Sequence, residues 1–359
     1  MEMIAQKFLL YFFAFGTSAT ITLLGIPVVN RVAKTKNLFD VPNYRSSHKS
    51  QVPRLGGIVI FIASVLGFTI WLGNTAFPEL ASIIAALIII FFTGVKDDIV
   101  GMRPLTKLTL QIFSATLLSF GGKLRIASLY GLFGIQELPL VISILITILV
   151  VVFLINSFNL IDGVDGLAGG LGIIATFTFG VIFYAVEEHA FVLLAMSLIG
   201  SLATFLCFNF SNKWKIFMGD TGSMVIGLII SILTLKFLNL ENKISLLQVG
   251  FVNLPYLSVL ILFIPIFDTL RVFTVRLFLG KSPFSPDKNH MHHMLLNRVS
   301  KKHAIVSIIM YTLNIAPIIV GFLLLKNLNL LESSVLFVSV VLLYVLMVQI
   351  LSKSDIKSN

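Results

Sequence analysis

Four short polar strings interrupt an otherwise apolar sequence, and their residue types suit work on phosphate groups. The first, G-V-K-D-D, ends in Asp97 and Asp98. Adjacent carboxylates beside an apolar run cost on the order of a few kcal/mol unless offset. A divalent cation taking oxygen ligands would offset them, and so would capping by the nearby Lys96, Arg103 and Lys107. The second string, N-S-F-N-L-I-D-G-V-D-G-L-A-G-G-L-G, runs from Asn156 to Gly172 and groups the amides of Asn156 and Asn159 with the carboxylates of Asp162 and Asp165. Its glycines let backbone approach a ligand and open a helix whose amino terminus attracts anions. Gly166 and Gly170 equally form a G-x-x-x-G helix-packing pair.

The third string, F-M-G-D-T-G-S, offers Asp220 as a metal ligand or a helix cap, and Phe217 as a platform for a planar base or as interfacial packing. The fourth, K-S-P-F-S-P-D-K-N-H-M-H-H, runs from Lys281 to His293, and its two prolines favour a fixed loop over a helix. His290, His292 and His293 stand near Lys281, Lys288 and Arg298, an arrangement suited to hydrogen-bonding a phosphate chain. Zinc has no support, because neither cysteine nor an H-E-x-x-H pattern accompanies them. A solvated polar loop explains the polarity but not three histidines among four residues. Aspartates for a hard cation, cations and histidines for phosphates and an aromatic for a base together fit phosphoryl transfer, which asks a protein mainly for positioning and charge stabilisation.

The elements that hold these strings follow from composition. Of 359 residues 57% are apolar and 12% charged, with mean hydropathy +1.01; soluble domains carry about 25% charged residues. Each helical crossing of a bilayer needs about 20 apolar residues. Runs of that kind fall at 8–29, 55–73, 78–95, 106–121, 138–155, 166–186, 189–209, 221–238, 255–275, 304–325 and 331–351. The sequence therefore predicts an all-α, polytopic membrane protein of about eleven crossings, forming one domain over 1–359. The first run reads as a crossing rather than a cleaved leader, being too long for a signal core. A single cysteine, Cys207, excludes a disulfide framework, a C-x-x-C redox pair and a thiolate metal site.

Lys and Arg mark the cytoplasmic side. Loops 30–54, 96–107, 156–165, 210–220 and 271–303 with the tail 352–359 hold 20 of the 26 basic residues. This predicts the amino terminus outside and the carboxyl terminus inside. It also accounts for the net charge of +10 without nucleic acid. All nine aspartates lie on or beside that same face, whereas all seven glutamates lie on the other. Acidic residues contribute little to topology, so gathered aspartates mark a built cytoplasmic site, open to one soluble and one lipid-borne substrate.

In order, P-N-Y-R-S-S-H…P-R-L-G-G (42–57), the D-D pair, N-x-x-N-x-x-D-G-x-D-G-L (156–167), F-M-G-D-T-G-S (217–223) and S-P-F-S-P-D-x-x-H-x-H-H (282–293) span nearly the whole chain. On these five motifs the sequence resembles the polyprenyl-phosphate N-acetylhexosamine-1-phosphate transferases, which include the WecA-type and MraY-type enzymes. The resemblance implies transfer of a HexNAc-1-phosphate, GlcNAc-1-phosphate foremost, from a UDP-sugar to undecaprenyl phosphate in the bacterial inner membrane. UMP is released, and a cell-surface polysaccharide begins on the lipid. It implies a Mg2+ cofactor, or Mn2+, with Asp220 as main ligand and Asp98 assisting, and Asp97 at the lipid phosphate with Lys107. Phe217 would stack on uracil, Asn156, Asn159, Asp162 and Asp165 would face the nucleotide, and His290, His292 and His293 would meet the diphosphate or sugar. Arg45, His48, Arg54 and Arg276 join the substrate-binding set, and a homodimer is compatible with all of this. The P-R-L-G-G and S-P-F-S-P-D strings resemble the WecA type rather than the muramoyl-pentapeptide enzymes. Two departures stand out: N-F-S-N-K-W-K replaces a frequent Pro-Ala before F-M-G-D, which bears on Asn209, and Arg276 is followed by Leu277 where a second arginine is frequent. The second departure leaves GalNAc and 6-deoxy-HexNAc donors in play. A secondary transporter is the competing class, but it would place ionisable groups at mid-membrane within paired broken helices, which the sequence does not show.

Overall fold

A computed structural model describes residues 2–36, 38–40, 52–73, 77–240, 253–280 and 289–353. Arg45 and His48, with the S-P-F-S-P-D segment, lie outside the described residues. The chain forms helices α1 (Glu2–Thr35), α2 (Gly56–Leu72), α3 (Leu80–Val100), α4 (Pro104–Phe120), α5 (Leu140–Ile161), α6 (Leu167–Ala185) and α7 (His189–Asn209). There follow α8 (Gly219–Leu238), α9 (Leu254–Ile261), α10 (Phe263–Phe278), α11 (Met291–Arg298), α12 (His303–Leu324) and α13 (Leu330–Lys353). Phe39–Asp40 and Val52–Pro53 pair as a two-residue antiparallel ladder.

Seven described helices (α1, α5, α6, α7, α8, α12 and α13) are long and apolar enough to cross a membrane, and the α9–α10 pair makes eight if counted as one span. Their outward faces are apolar: Phe12, Leu149 and Leu343 are each more than half exposed. In water such a surface would aggregate; in lipid it is the expected exterior. The protein is thus a polytopic, all-helical membrane protein. The second to fourth apolar runs of the sequence are occupied by α2, α3 and α4, with the 17-residue α2 somewhat short for a span.

The hub is α8, buried along nearly its full length and packed by α2, α3, α5, α6, α7 and α9. Close approach is what fixes its amino terminus. A Cβ on Gly57 would sit 2.0 Å from the Gly222 backbone nitrogen, so α2 meets α8 backbone to backbone only because both residues are glycine.

The run 255–275, expected as one crossing, is instead two helices meeting at 82°. Pro265 has no N–H for the carbonyl of Ile261 four residues earlier, and a side chain on α12 repairs the break. Asn314 donates to the Ile261 carbonyl at 3.0 Å and accepts from the Ile264 N–H at 2.9 Å. The segment expected as a fixed loop up to His293 also differs. His292 and His293 occupy the first turn of α11, whose opening N–H groups are served by the His290 carbonyl and a buried acid on α10.

Candidate active site

The carboxyl ends of α3 and α5 gather against the amino ends of α4, α6 and α8, and most of the sequence-predicted residues meet there. The first four N–H groups of any helix lack internal partners, and for α8 Asp98 supplies an acceptor from α3. Its oxygens accept from the N–H of Asp220 at 2.8 Å, from the N–H of Thr221 at 3.0 Å and from the Thr221 hydroxyl at 2.6 Å. Gly219 makes the turn possible, with φ of +71° and with the Arg54 carbonyl only 2.2 Å from where a Cβ would be. The P-R-L-G-G string is a backbone clamp on the same turn. Pro53 accepts from the Phe217 N–H at 2.8 Å, while the N–H groups of Gly56 and Gly57 reach the carbonyls of Phe217 and Met218.

Asp97 points elsewhere. Its carboxylate accepts from Lys107 Nζ at 2.8 Å, and the same ammonium lies 3.2 Å from Asp220 Oδ1. Lys107 therefore bridges the two acids, and Asn159 donates to Asp220 from α5 and to Ser223 Oγ at 3.0 Å. Asn156 is one turn deeper and donates to Gln111 Oε1 at 2.8 Å, so it braces α5 against α4. Phe217 is half-buried, with Lys215 Nζ 5.7 Å from its ring centre.

The turn between α5 and α6 carries Asp162 and Asp165, and their surroundings differ. Asp165 accepts from Lys215 Nζ at 2.6 Å and faces His303 Nδ1 at 2.9 Å. Burial alone would raise its proton affinity, but the hydrogen bonds and charges of His303 and Lys215 hold the carboxyl below the usual range. Asp162 has no such ion pair among the described residues. Burial, then the charges of Asp220, Asp98 and Asp165, push it well above the usual range. Asn209 accepts from the Gly166 N–H and donates to the Ile216 carbonyl. It thus ties this turn to the F-M-G-D segment even though the residues that precede that segment depart from the frequent pattern.

The histidine segment docks from the α10 side. Asp268, fully buried, accepts from His290 Nδ1 at 2.8 Å, the Met291 N–H at 2.9 Å and Arg271 Nη2 at 3.1 Å. The His290 and His292 rings stack at 5.5 Å, and a Cβ on Gly163 would lie 2.7 Å from His292 Nε2. The histidines and the Asp162 turn are therefore in contact. Burial, then the charge of His293, keeps His292 well below the usual imidazole range. Arg276 is buried two turns along α10 with its guanidinium 6.0 Å from the Phe273 ring centre.

Sequence reasoning did not single out Asp268, Arg271, Lys215, His303, Thr221 or Gln111 as site residues. For Asp268 a signal existed, since a carboxylate five residues into an apolar helix needs a partner.

Among the described residues no three His, Cys, Asp or Glu side chains are gathered as a ready metal cage. Mg2+ does not require one; it usually takes one or two carboxylates and completes its shell with water and substrate phosphates. Asp162 and Asp220 fit that pattern, because the half-buried Asp162 faces like charges that a cation would relieve. Both oxygens of Asp98 are already engaged by α8.

Residues 80–238 match the family model described as glycosyl transferase family 4. A Bacillus subtilis (strain 168) protein named "Probable undecaprenyl-phosphate N-acetylglucosaminyl 1-phosphate transferase" is 31% identical over 350 residues, covering 96% of this chain and 92% of its own length. The Escherichia coli (strain K12) "Undecaprenyl-phosphate alpha-N-acetylglucosaminyl 1-phosphate transferase" is 29% identical over 279 residues, 77% of this chain and 73% of its own. A Yersinia pestis protein of that same name is 30% identical over 274 residues, 75% and 72% of the two chains. Three of the five ordered motifs fall within the matched region, and the match to the Bacillus protein runs almost from end to end. The chain belongs to glycosyl transferase family 4, the polyprenyl-phosphate N-acetylhexosamine-1-phosphate transferases.

Proposed function

We propose that this protein transfers GlcNAc-1-phosphate from UDP-GlcNAc to undecaprenyl phosphate, releasing UMP, at the cytoplasmic face of the bacterial inner membrane. The observation that carries the reading is the Asp97–Lys107–Asp220 bridge at the helix ends, in a chain whose relatives are named for this lipid acceptor and this sugar. Lys107 sits where a phosphate would exchange for one carboxylate partner, and Asp97 then positions the ammonium rather than acting as a strong base. A phosphate monoester is already mostly ionised at pH 7. An oxygen of the lipid phosphate attacks the sugar-bearing phosphorus; the bond to the bridging oxygen breaks, and that oxygen leaves with UMP. Bound at Asp220 and Asp162, Mg2+ or Mn2+ would neutralise charge developing on the leaving group. Phe217 offers a face to uracil beside Lys215, and His292 and His293 reach the diphosphate side of the turn. Arg54 and Arg276 are not assigned a substrate contact.

The eleven-crossing topology, amino terminus out and carboxyl terminus in, belongs to this reading. It needs α2, α3 and α4 to cross together with the bent α9–α10 pair. It places all the site-bearing helix ends on the basic side of the membrane. The product enters a cell-surface polysaccharide.

Mass spectrometry of the lipid product formed from undecaprenyl phosphate tests the donor. With UDP-GlcNAc, UDP-GalNAc and a UDP-6-deoxy-HexNAc each offered singly, the HexNAc-diphosphate lipid is expected from UDP-GlcNAc. A product carrying the 6-deoxy sugar, or formed only from UDP-GalNAc, would overturn the assignment of the sugar.

A further inference from the structure

A carboxylate with no role in the transfer as described so far lies beneath the histidines. Asp268 is fully buried in α10, and four donors from three places converge on it. They are His290 Nδ1 at 2.8 Å and the Met291 N–H at 2.9 Å from the start of α11, Arg271 Nη2 at 3.1 Å from its own helix, and the Tyr344 hydroxyl at 3.4 Å from α13. Tyr344 is itself pinned against Phe263, at 5.5 Å and 88° between ring planes.

An ionised carboxylate only accepts hydrogen bonds, so a ring nitrogen 2.8 Å from it carries the proton. That fixes which ring nitrogen of His290 faces the other way. Among the described residues, His290 Nε2 and both ring nitrogens of His292 are buried and have no hydrogen-bond partner, while His292 lies against Gly163, next to Asp162. Held by Asp268 through Nδ1, the His290 ring is oriented rather than merely packed.

We infer that Asp268 is a positioning residue for the transfer reaction: it holds the His290 ring in one orientation with the proton on Nδ1, so that the Nε2 lone pair is left to accept a hydrogen bond from a hydroxyl or N–H of the bound UDP-sugar. The inference rests on the transferase reading. Asp268 touches no substrate; it acts through His290, as the buried carboxylate of a catalytic triad acts through its histidine.

The experiment is a double-mutant cycle on the full-length protein in detergent, with UDP-GlcNAc, undecaprenyl phosphate and Mg2+. Asp268→Asn is expected to lower kcat about 100-fold with KM for the UDP-sugar changed less than about threefold, a transition-state rather than a uniform binding loss. Adding Asp268→Asn to His290→Ala is expected to change nothing further, because the residue acts through the ring already removed. Effects that multiply would overturn the inference and make Asp268 a packing residue. If Asp268→Asn does not fold, nitrogen-15 shifts of His290 in the wild-type protein decide: a proton on Nδ1 supports the assignment and a proton on Nε2 overturns it. Wild-type protein that shows no lipid-dependent UMP release sinks the transferase reading itself. Normal wild-type release with multiplicative mutants sinks only the role of Asp268.

Discussion

Asp98 holds the backbone that presents Asp220: its Oδ1 accepts from the Asp220 N–H at 2.8 Å, while Oδ2 takes the next N–H and the Thr221 hydroxyl. Adjacent in sequence, Asp97 and Asp98 thus do different work, because one faces a cation and the other a helix amino terminus. Carboxylates at such termini stabilise both the orphan N–H groups and the helix dipole.

The two substitutions should therefore separate. Asp98→Ala leaves buried N–H groups without an acceptor and is expected to cost about 1–3 kcal/mol of stability, together with activity. Asp97→Asn is expected to lose activity with a smaller change in Tm. Thermal unfolding in detergent beside the transfer assay distinguishes them, and equal Tm losses would argue against the division.

Lys107 is the link between Asp97 and Asp220. Lys107→Met should lower kcat/KM about 100- to 1,000-fold, the scale for removing one group that stabilises developing charge. Lys107→Arg should not restore it, since a planar fork cannot take the place of a compact ammonium between two carboxylates. Steady-state kinetics on both variants check this, and wild-type rates in either would remove Lys107 from the site.

Asp162 should report the cation independently of turnover. Relief of its like-charged surroundings by Mg2+ is expected to raise the Tm of the wild-type protein, by mass action on the folded state. At a concentration about 100 times the dissociation constant that is about 2.7 kcal/mol. Asp162→Asn is expected to be at least as stable as wild type without Mg2+ and to gain less from its addition. An equal gain in both would place the cation elsewhere.

Acid should loosen the fold through His292 before it does so through Asp165. The folded state holds His292 well below the usual imidazole range, so the unfolded chain takes up a proton near pH 6.5 that the folded chain refuses. Its contribution is intact above about pH 6.5 and declines by at most about 1.4 kcal/mol per pH unit below that. Asp165, held low by His303 and Lys215 against its burial, contributes above about pH 4 and loses that contribution only as pH falls further. Between pH 7 and 5, His292→Gln should flatten the fall of Tm with acidification. An unchanged slope would contradict the burial of a neutral ring.

Much of the site was legible because polar side chains are conspicuous in an apolar chain. Asp97, Asp220, Asn159 and the histidines stood out by type and spacing, and the structure brings them to one end of the bundle. What spacing could not convey was which partner each would meet. Asp165 pairs with His303, 138 residues away, and nothing local to either residue announces it. The bend at residue 262 depends on Asn314 as much as on Pro265, so a hydropathy window saw only one continuous run. The resemblance implies that Asp98 assists a metal ion, but sequence shows a carboxylate and not the direction it faces, so its bonds to the amino terminus of α8 were hidden. The same blindness hid Asp268, whose four donors come from α10, α11 and α13.

The central claim is transfer to a lipid phosphate, and one measurement reaches it directly: UMP release from UDP-GlcNAc by purified protein with Mg2+, with and without undecaprenyl phosphate. Release is expected to require the lipid and to collapse in Lys107→Met. Release at the same rate without lipid would contradict the claim, making water the acceptor, and so would the absence of release under either condition.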